Sequence, residues 1–331
     1  MKPDLRGFAF ASRLSENGRN TSAFASLEEE LPISSIPQKK RPPQKEPKAA
    51  PQKEPAQPQL ASLRRRNSNG SELFHFVEPQ HHASDIVLDA ENYRLLSEIA
   101  EEFRRGDDLR RFGLKPRSKL LFCGPPGCGK TLCAEVLAYE LKLPLLVARL
   151  DGIITTFLGE TASNLRQLFD VAASVRSVLF LDEFDALART RMDGNEHSEI
   201  RRVVNSLLTL IEDFKGRGLL IAATNLQSSI DAAAWRRFDE VVLFKYPTRT
   251  QILRLIRAKT KNFTAEVDFS DFIDDLAGMS FAEVERICLA AIKREIVHGN
   301  STLGRQAFAS AVRDEKRRIA IRTKIRGDDT P

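Results

Sequence analysis

The residues Gly124-Pro-Pro-Gly-Cys-Gly-Lys-Thr131 carry the most direct chemical signal in this chain. Their spacing matches G-x-x-x-x-G-K-[ST], a pattern that has meaning only between a strand and a helix. The apolar run Lys119–Cys123 before it and the helical pattern Leu132–Leu141 after it supply that context. Gly127 and Gly129 let the backbone come close to a polyphosphate. The loop from Gly124 through Pro125, Pro126, Cys128 and on to Leu132 then offers successive N–H groups and a helix N-terminus as an anion cradle. Lys130 is placed to reach the β- and γ-phosphates, and the Thr131 hydroxyl to ligate Mg2+. The chemistry implied is the binding of a nucleoside triphosphate such as ATP.

Two further constellations extend this chemistry from binding to hydrolysis. Ser177-Val-Leu-Phe-Leu-Asp-Glu183 is an apolar strand ending in two carboxylates. Asp182 would hold Mg2+, and Glu183 would orient and deprotonate an attacking water. The plainer alternative is a pair of acids capping the next helix. Asp185 reads as structural or as a support behind these groups. Asn225, at the tip of Gly218-Leu-Leu-Ile-Ala-Ala-Thr-Asn225, can hydrogen-bond a γ-phosphate or that water. Arg236 and Arg237 lie too far along to be assumed to reach their own phosphate. In a ring they would reach the neighbour's and stabilise transition-state charge; otherwise they make surface salt bridges.

The elements that must position these residues emerge from the hydrophobic pattern. Short apolar runs at Lys119–Cys123, Pro144–Leu150, Ser177–Glu183, Gly218–Asn225 and Val241–Phe244 alternate with helical segments, including Thr161–Val175 and Glu196–Phe214. That alternation predicts an α/β fold with a parallel sheet and helices on both faces, in a domain over residues 85–247. Gly124, Asp182, Glu183, Thr224 and Asn225 all fall at strand C-termini, where such sheets bind ligands. After Pro247 strands are expected to stop, and Gln251–Lys261, Phe269–Leu276, Phe281–Val297 and Gly304–Arg318 predict an all-helical domain over 248–331.

Residues 1–84 read as a disordered extension. The tract around Pro37–Pro58, with its near-repeated Pro-Gln-Lys-Glu-Pro, cannot bury enough apolar surface to offset chain entropy. Leu5–Leu31 carries scattered Phe and Leu, either a docking peptide or a plain disordered end. Arg64–Arg66 and His81–His82 read as solvated linker. The chain carries a net charge of +6, and its first 84 residues hold 13 Lys/Arg against 9 Asp/Glu, so the surplus describes a tail better than a nucleic-acid face. No run of about 18 apolar residues predicts a membrane span, and Met1–Arg6 lacks the apolar stretch of a secretory signal. Cys123, Cys128 and Cys133 lie on a strand, a loop and a helix, so converging metal ligands are not expected; with the fourth cysteine they read as free thiols in a reducing cytoplasm, and Cys128 as a candidate for oxidation beside the phosphates.

Taken together, Gly124–Thr131, Asp182-Glu183, Ala222–Asn225, Ser229–Asp231 and Arg236-Arg-Phe-Asp239 resemble the AAA family of ring-forming ATPases, in its strict clade, over roughly residues 84–320. The resemblance implies a parallel-sheet ATPase domain with a helical lid, a ring expected to be a hexamer in the family's manner, and Mg-ATP shared between neighbours. It places Ile86 and Ala282 beside the adenine. It identifies Phe157-Leu158-Gly159 as a pore-loop triplet that grips polypeptide, and residues 188–198 as a second pore loop. Phe281 and Glu283 depart from the family's Gly-x-Ser-Gly-Ala-Asp lid pattern, which puts the lid–adenine contacts in question. No zinc-protease His-Glu-x-x-His is present. The wording of Leu150–Thr161 resembles, more narrowly, bacterial single-ring members encoded beside a subtilisin-like protease, some tied to antiviral defence. The expected activity is protein remodelling by threading in the cytoplasm. The alternatives are a nucleic-acid motor using the basic end Lys316–Arg326, or an ATP-dependent assembly switch.

Overall fold

A computed structural model describes residues 74–150, 158–184, 197–225 and 235–328. Its strands are β1 (His75–Val77), β2 (Lys119–Cys123), β3 (Leu145–Arg149), β4 (Val178–Asp182), β5 (Leu219–Thr224), β6 (Glu240–Leu243), β7 (Thr264–Ala265) and β8 (Thr302–Leu303). Its helices are α1 (Ala90–Arg104), α2 (Gly106–Arg111), α3 (Lys130–Glu140), α4 (Leu158–Ser174), α5 (His197–Asp213), α6 (Arg249–Thr260), α7 (Ile273–Leu276), α8 (Phe281–Val297) and α9 (Arg305–Asp328).

The main sheet has the order β1-β3-β4-β5-β2-β6, parallel throughout except where β1 pairs antiparallel with β3. Side chains alternate across each strand, so a strand buried on both faces must be apolar at every position. Leu121 and Cys123 of β2, Leu179 and Leu181 of β4, and Leu220 and Ala222 of β5 enter one core with Leu165 and Phe169 of α4 and Val203 and Leu207 of α5. Leu120 and Phe122, Val178 and Phe180, and Ile221 and Ala223 enter the other with Ile99 of α1 and Cys133 and Leu137 of α3. This is the α/β sheet with helices on both faces that the pattern predicts.

The sheet starts earlier than expected. Phe74 is buried and β1 joins the edge, inside the stretch whose composition reads as extension. A three-residue strand is too short for its alternation to register against a Pro/Gln/Lys-rich background. His81 and His82 are likewise not linker. His81 Nδ1 lies 2.8 Å from Glu135 Oε1 on α3, and the His82 ring rests 4.2 Å from that of Tyr139.

From α6 onward a third core forms, with Ile252, Leu276, Val284, Ile287, Leu303 and Phe308 at its centre. Strands do not stop at Pro247, because β7 and β8 pair in parallel within this helical region. Two residues each, they carry too little pattern to be seen in sequence. Helix α9 runs well beyond Arg318, and α8 covers the predicted span. Among the described residues no helix is long and apolar enough to cross a membrane.

Candidate active site

The loop after β2 is shaped by two close approaches. Gly124 has φ +151°, and a Cβ there would collide with the Phe244 carbonyl oxygen and sit 2.8 Å from Phe244 Cβ. Gly127 has φ +75°, and its missing Cβ leaves room for the start of α8, with Ser280 Oγ 2.9 Å and Ala282 Cβ 3.1 Å from where that atom would be. Side chains at either position would push the loop off the sheet or the helix off the loop. Pro126 and Gly127 are exposed, Pro125 is half-buried, and Gly129 is the N-cap of α3. Leu132 is half-buried on the first turn of α3, and the Thr131 hydroxyl belongs to an exposed residue beside it.

Lys130 is 7% exposed. Its ammonium donates to Gly124 O at 2.7 Å, Pro125 O at 3.0 Å and Asn225 Oδ1 at 2.8 Å. Those bonds bring the predicted phosphate lysine, at the start of α3 beyond the β2 loop, and the predicted asparagine, just past the end of the adjacent strand β5, into one contact. Asp182 ends β4 next to them, with Oδ1 accepting from the Glu183 backbone N–H at 2.9 Å. Glu183 itself has φ +55°. Left-handed backbone is unfavourable for a residue with a Cβ and is concentrated at functional positions. The next residue, Phe184, returns to the sheet through its N–H to Ala223 O at 2.9 Å. Glu183 therefore takes the left-handed turn at the strand tip, half-buried, between the Asp182 and Phe184 contacts that fix the backbone on either side.

This donor set fits a nucleotide with its metal. It combines a cradle that a Cβ would fill, a buried ammonium beside it, and hard oxygen donors in Thr131 and Asp182 of the kind Mg2+ prefers. The thiols do not contribute. All four cysteines are free and buried. Burial pushes Cys128 upward, outweighing the opposing pull of Lys130, with Glu283 adding to the rise. Burial also lifts Cys123 to about 11 and raises Cys133 further. Cys128 is thus a poor thiolate, against the expectation that it would be oxidation-sensitive. Among the described residues no group of three or more His, Cys, Asp or Glu is arranged to hold a metal by itself.

The residues that the resemblance places beside the adenine, Ile86 and Ala282, are set where the two regions meet. Ile86 and Leu88 pack on the α1/α3 core while Val87 packs on the helical core, so this segment bridges both. Asn92 ties the start of α1 to the end of β6, donating from Nδ2 to Leu243 O at 2.9 Å. The Ala282 backbone N–H donates to Gly127 O at 3.1 Å. The departures at 281 and 283 have a local use. Phe281 packs against the helical core. Glu283 completes a capping box, accepting from Ser280 N at 2.8 Å and Ser280 Oγ at 2.9 Å. Burial would raise the Glu283 carboxyl, but the Ser280 N–H and the Arg322 guanidinium outweigh it and hold it below the usual range.

The arginine pair is divided. Arg237 Nε lies 3.2 Å from Glu212 Oε2 of its own α5, while Arg236 is exposed. Phe238 behind them meets Phe184 edge to face, with centroids 5.9 Å apart. Asp239 Oδ2 accepts from the backbone N–H groups of Ser118 and Lys119, fixing the entry to β2. Leu158 and Gly159 open α4. Phe157, Asp185, residues 188–196 of the expected second pore loop (188–198) and Ser229–Asp231 lie outside the described residues. The contacts of Glu283 with Arg322 and of Phe184 with Phe238 had no signal in sequence, since each joins positions whose proximity depends on the tertiary fold.

Residues 120–246 match the model of the ATPase family associated with various cellular activities (AAA). The chain is 52% identical over 249 residues to an uncharacterized AAA family ATPase of Sinorhizobium fredii, covering 75% of this chain and 76% of that protein. It is 35% identical over 222 residues to Protein mac-1 of Caenorhabditis elegans, spanning 63% of this chain and 26% of that one. Against the ATP-dependent zinc metalloprotease FtsH 3 of Sphaerobacter thermophilus it is 30% identical over 241 residues, 71% of this chain and 49% of the metalloprotease.

Proposed function

The chain belongs to the AAA family of ATPases and hydrolyses ATP, and from that premise we propose that it is a cytoplasmic ring, a hexamer, that remodels proteins by drawing them past Phe157. The observation that carries the catalytic part is the contact of Lys130 Nζ with Asn225 Oδ1 at 2.8 Å, one strand away from Asp182 and Glu183. Gly124–Leu132 would wrap the phosphates, with Lys130 turning from its loop carbonyls to the β- and γ-oxygens. Thr131 and Asp182 would hold Mg2+, which neutralises charge on the phosphates when bound. Glu183 would take a proton from the water that Asn225 helps orient. Exposed Arg236 suits a role toward a neighbouring subunit's phosphate, and Arg237, anchored on Glu212, supports it from behind.

Polypeptide as substrate is supported by the likeness to a metalloprotease and by the Phe157-Leu158-Gly159 wording, and the free, buried cysteines suit a reducing compartment. A separate subtilisin-like protease as partner, in a bacterial defence setting, is supported by the wording of Leu150–Thr161 alone. The test is a trap. Glu183→Gln with ATP should hold its substrate without hydrolysis, and Phe157→Ala in the same background should release it. Captured protein that is lost with Phe157 supports threading. The same protein held by both variants would favour an assembly switch, and nucleic acid held by both, with steep salt dependence, a nucleic-acid motor.

A further inference from the structure

We propose that Arg322, on the C-terminal helix α9, is a positioning residue for the nucleotide site and acts through Glu283 on the seam between α8 and the phosphate loop. The two oxygens of Glu283 divide their work. Oε2 closes the cap on Ser280, and Oε1 accepts from Arg322 Nη2 at 2.7 Å. Glu283 is 6% exposed overall, so the pair is shielded on its acidic side. The capped turn is the one that touches the phosphate loop, through the Ala282 N–H on Gly127 O and the close fit of Ser280 and Ala282 over Gly127. A continuous set of contacts thus runs from Arg322 through Glu283 and Ser280 to Gly127.

Packing alone does not require this ion pair. Helices α8 and α9 are already joined by Arg286 with Glu315 at 2.6 Å and by Arg294 with Asp314. Among the described side chains of α9, those that pack on the helical core are Phe308, Ala309, Ala311, Val312 and Ile319, which precede Arg322. What Arg322 adds is a cation on the one carboxylate that shapes the start of α8. An arginine that holds that start against Gly127 sets how well the lid side of the site is formed before nucleotide arrives. Movement of the end of α9, by a bound partner or a neighbouring subunit, would then change nucleotide affinity.

The inference rests on the phosphate loop being the nucleotide site, and the experiment separates the two. ADP affinity and steady-state ATP hydrolysis would be measured on the full chain. Arg322→Ala should raise Kd for ADP and KM for ATP about fivefold, the scale that a partly exposed ion pair supports, with kcat within about twofold. Arg322→Gln, which keeps much of the stem, carries the same expectation should the alanine variant not fold. Arg322→Lys should restore affinity. The packing control Arg294→Ala should leave both constants unchanged. In the Glu283→Gln background, Arg322→Ala should add nothing. Unchanged affinity in Arg322→Ala and Arg322→Gln, an equal loss in Arg294→Ala, or additive losses with Glu283→Gln would overturn the proposal. Lys130→Ala binding ADP as tightly as the native chain would overturn the site assignment itself.

Discussion

The two sides of the candidate site are built on different terms. On the sheet side, the phosphate loop is tied into a six-stranded sheet with a core on each face, and the Lys130 ammonium bonds Gly124 O, Pro125 O and Asn225 Oδ1. On the helical side, a separate core, on which Val87 also packs, presents a capped turn that reaches the loop through the Ala282–Gly127 backbone hydrogen bond and a close fit over Gly127. Many shared apolar contacts make a unit that moves as one, whereas a seam of few contacts can open at small free-energy cost. A nucleotide bound between a fixed wall and a lightly held one would be placed to move the second against the first, as the proposed remodelling activity requires.

That contrast can be broken most severely from the sheet side. Gly124→Ala drives a methyl into the Phe244 carbonyl and strains a residue at φ +151°, so it should destabilise the β2–β6 edge by about 4 kcal/mol and lower the main melting transition. Leu276→Ala strikes the helical side, where that residue is fully buried. A cavity there should cost about 3 kcal/mol, and the loss should fall on the helical region. A split into two calorimetric transitions, the lower one moved by Leu276→Ala, would sharpen the distinction; a single transition moved equally by both variants would erase it.

A smaller effect tests how the sheet's outer edge is secured. Arg117 bonds Glu102 of α1 at 2.6 Å and Glu240 of β6 at 2.9 Å. Its hydrogen bond holds the Glu102 carboxyl below its ordinary value of 4.5, against the opposing pull of burial. A depressed carboxylate stabilises fully above its unfolded value and loses that contribution as pH falls through its folded one. Arg117→Ala should therefore cost about 1–2 kcal/mol at pH 7, and urea melts should show the gap to the native chain closing below pH 4.5. A pH-independent gap would assign the loss to packing of the arginine stem instead.

The same division governs what the sequence made legible. The sheet is written in long apolar runs, and its ligands sit where those runs end, so Gly124–Thr131, Asp182, Glu183 and Asn225 could be placed on a shared edge from the pattern alone. The lid's main helix could be read from Phe281 to Val297 because its apolar face repeats at helical spacing. What could not be read were short pairings and long-range charges. β1, β7 and β8 span too few residues to show a period, and the antiparallel β1 lies beside a composition typical of linkers. The lid substitution at Glu283 looked like a departure because its partner, Arg322, is 39 residues away. The arginine pair was legible as a pair, but its division into exposed Arg236 and Glu212-bound Arg237 depends on where α5 ends.

The measurement that tests the central claim most directly is amide hydrogen exchange across an ADP titration of the native chain. A nucleotide held between the sheet and the lid should protect residues 124–131 and residues 280–284 together, at one midpoint, with Lys130→Ala losing both. Protection of 124–131 with no change at 280–284, or protection at 280–284 that survives Lys130→Ala, would contradict a site shared by the two regions.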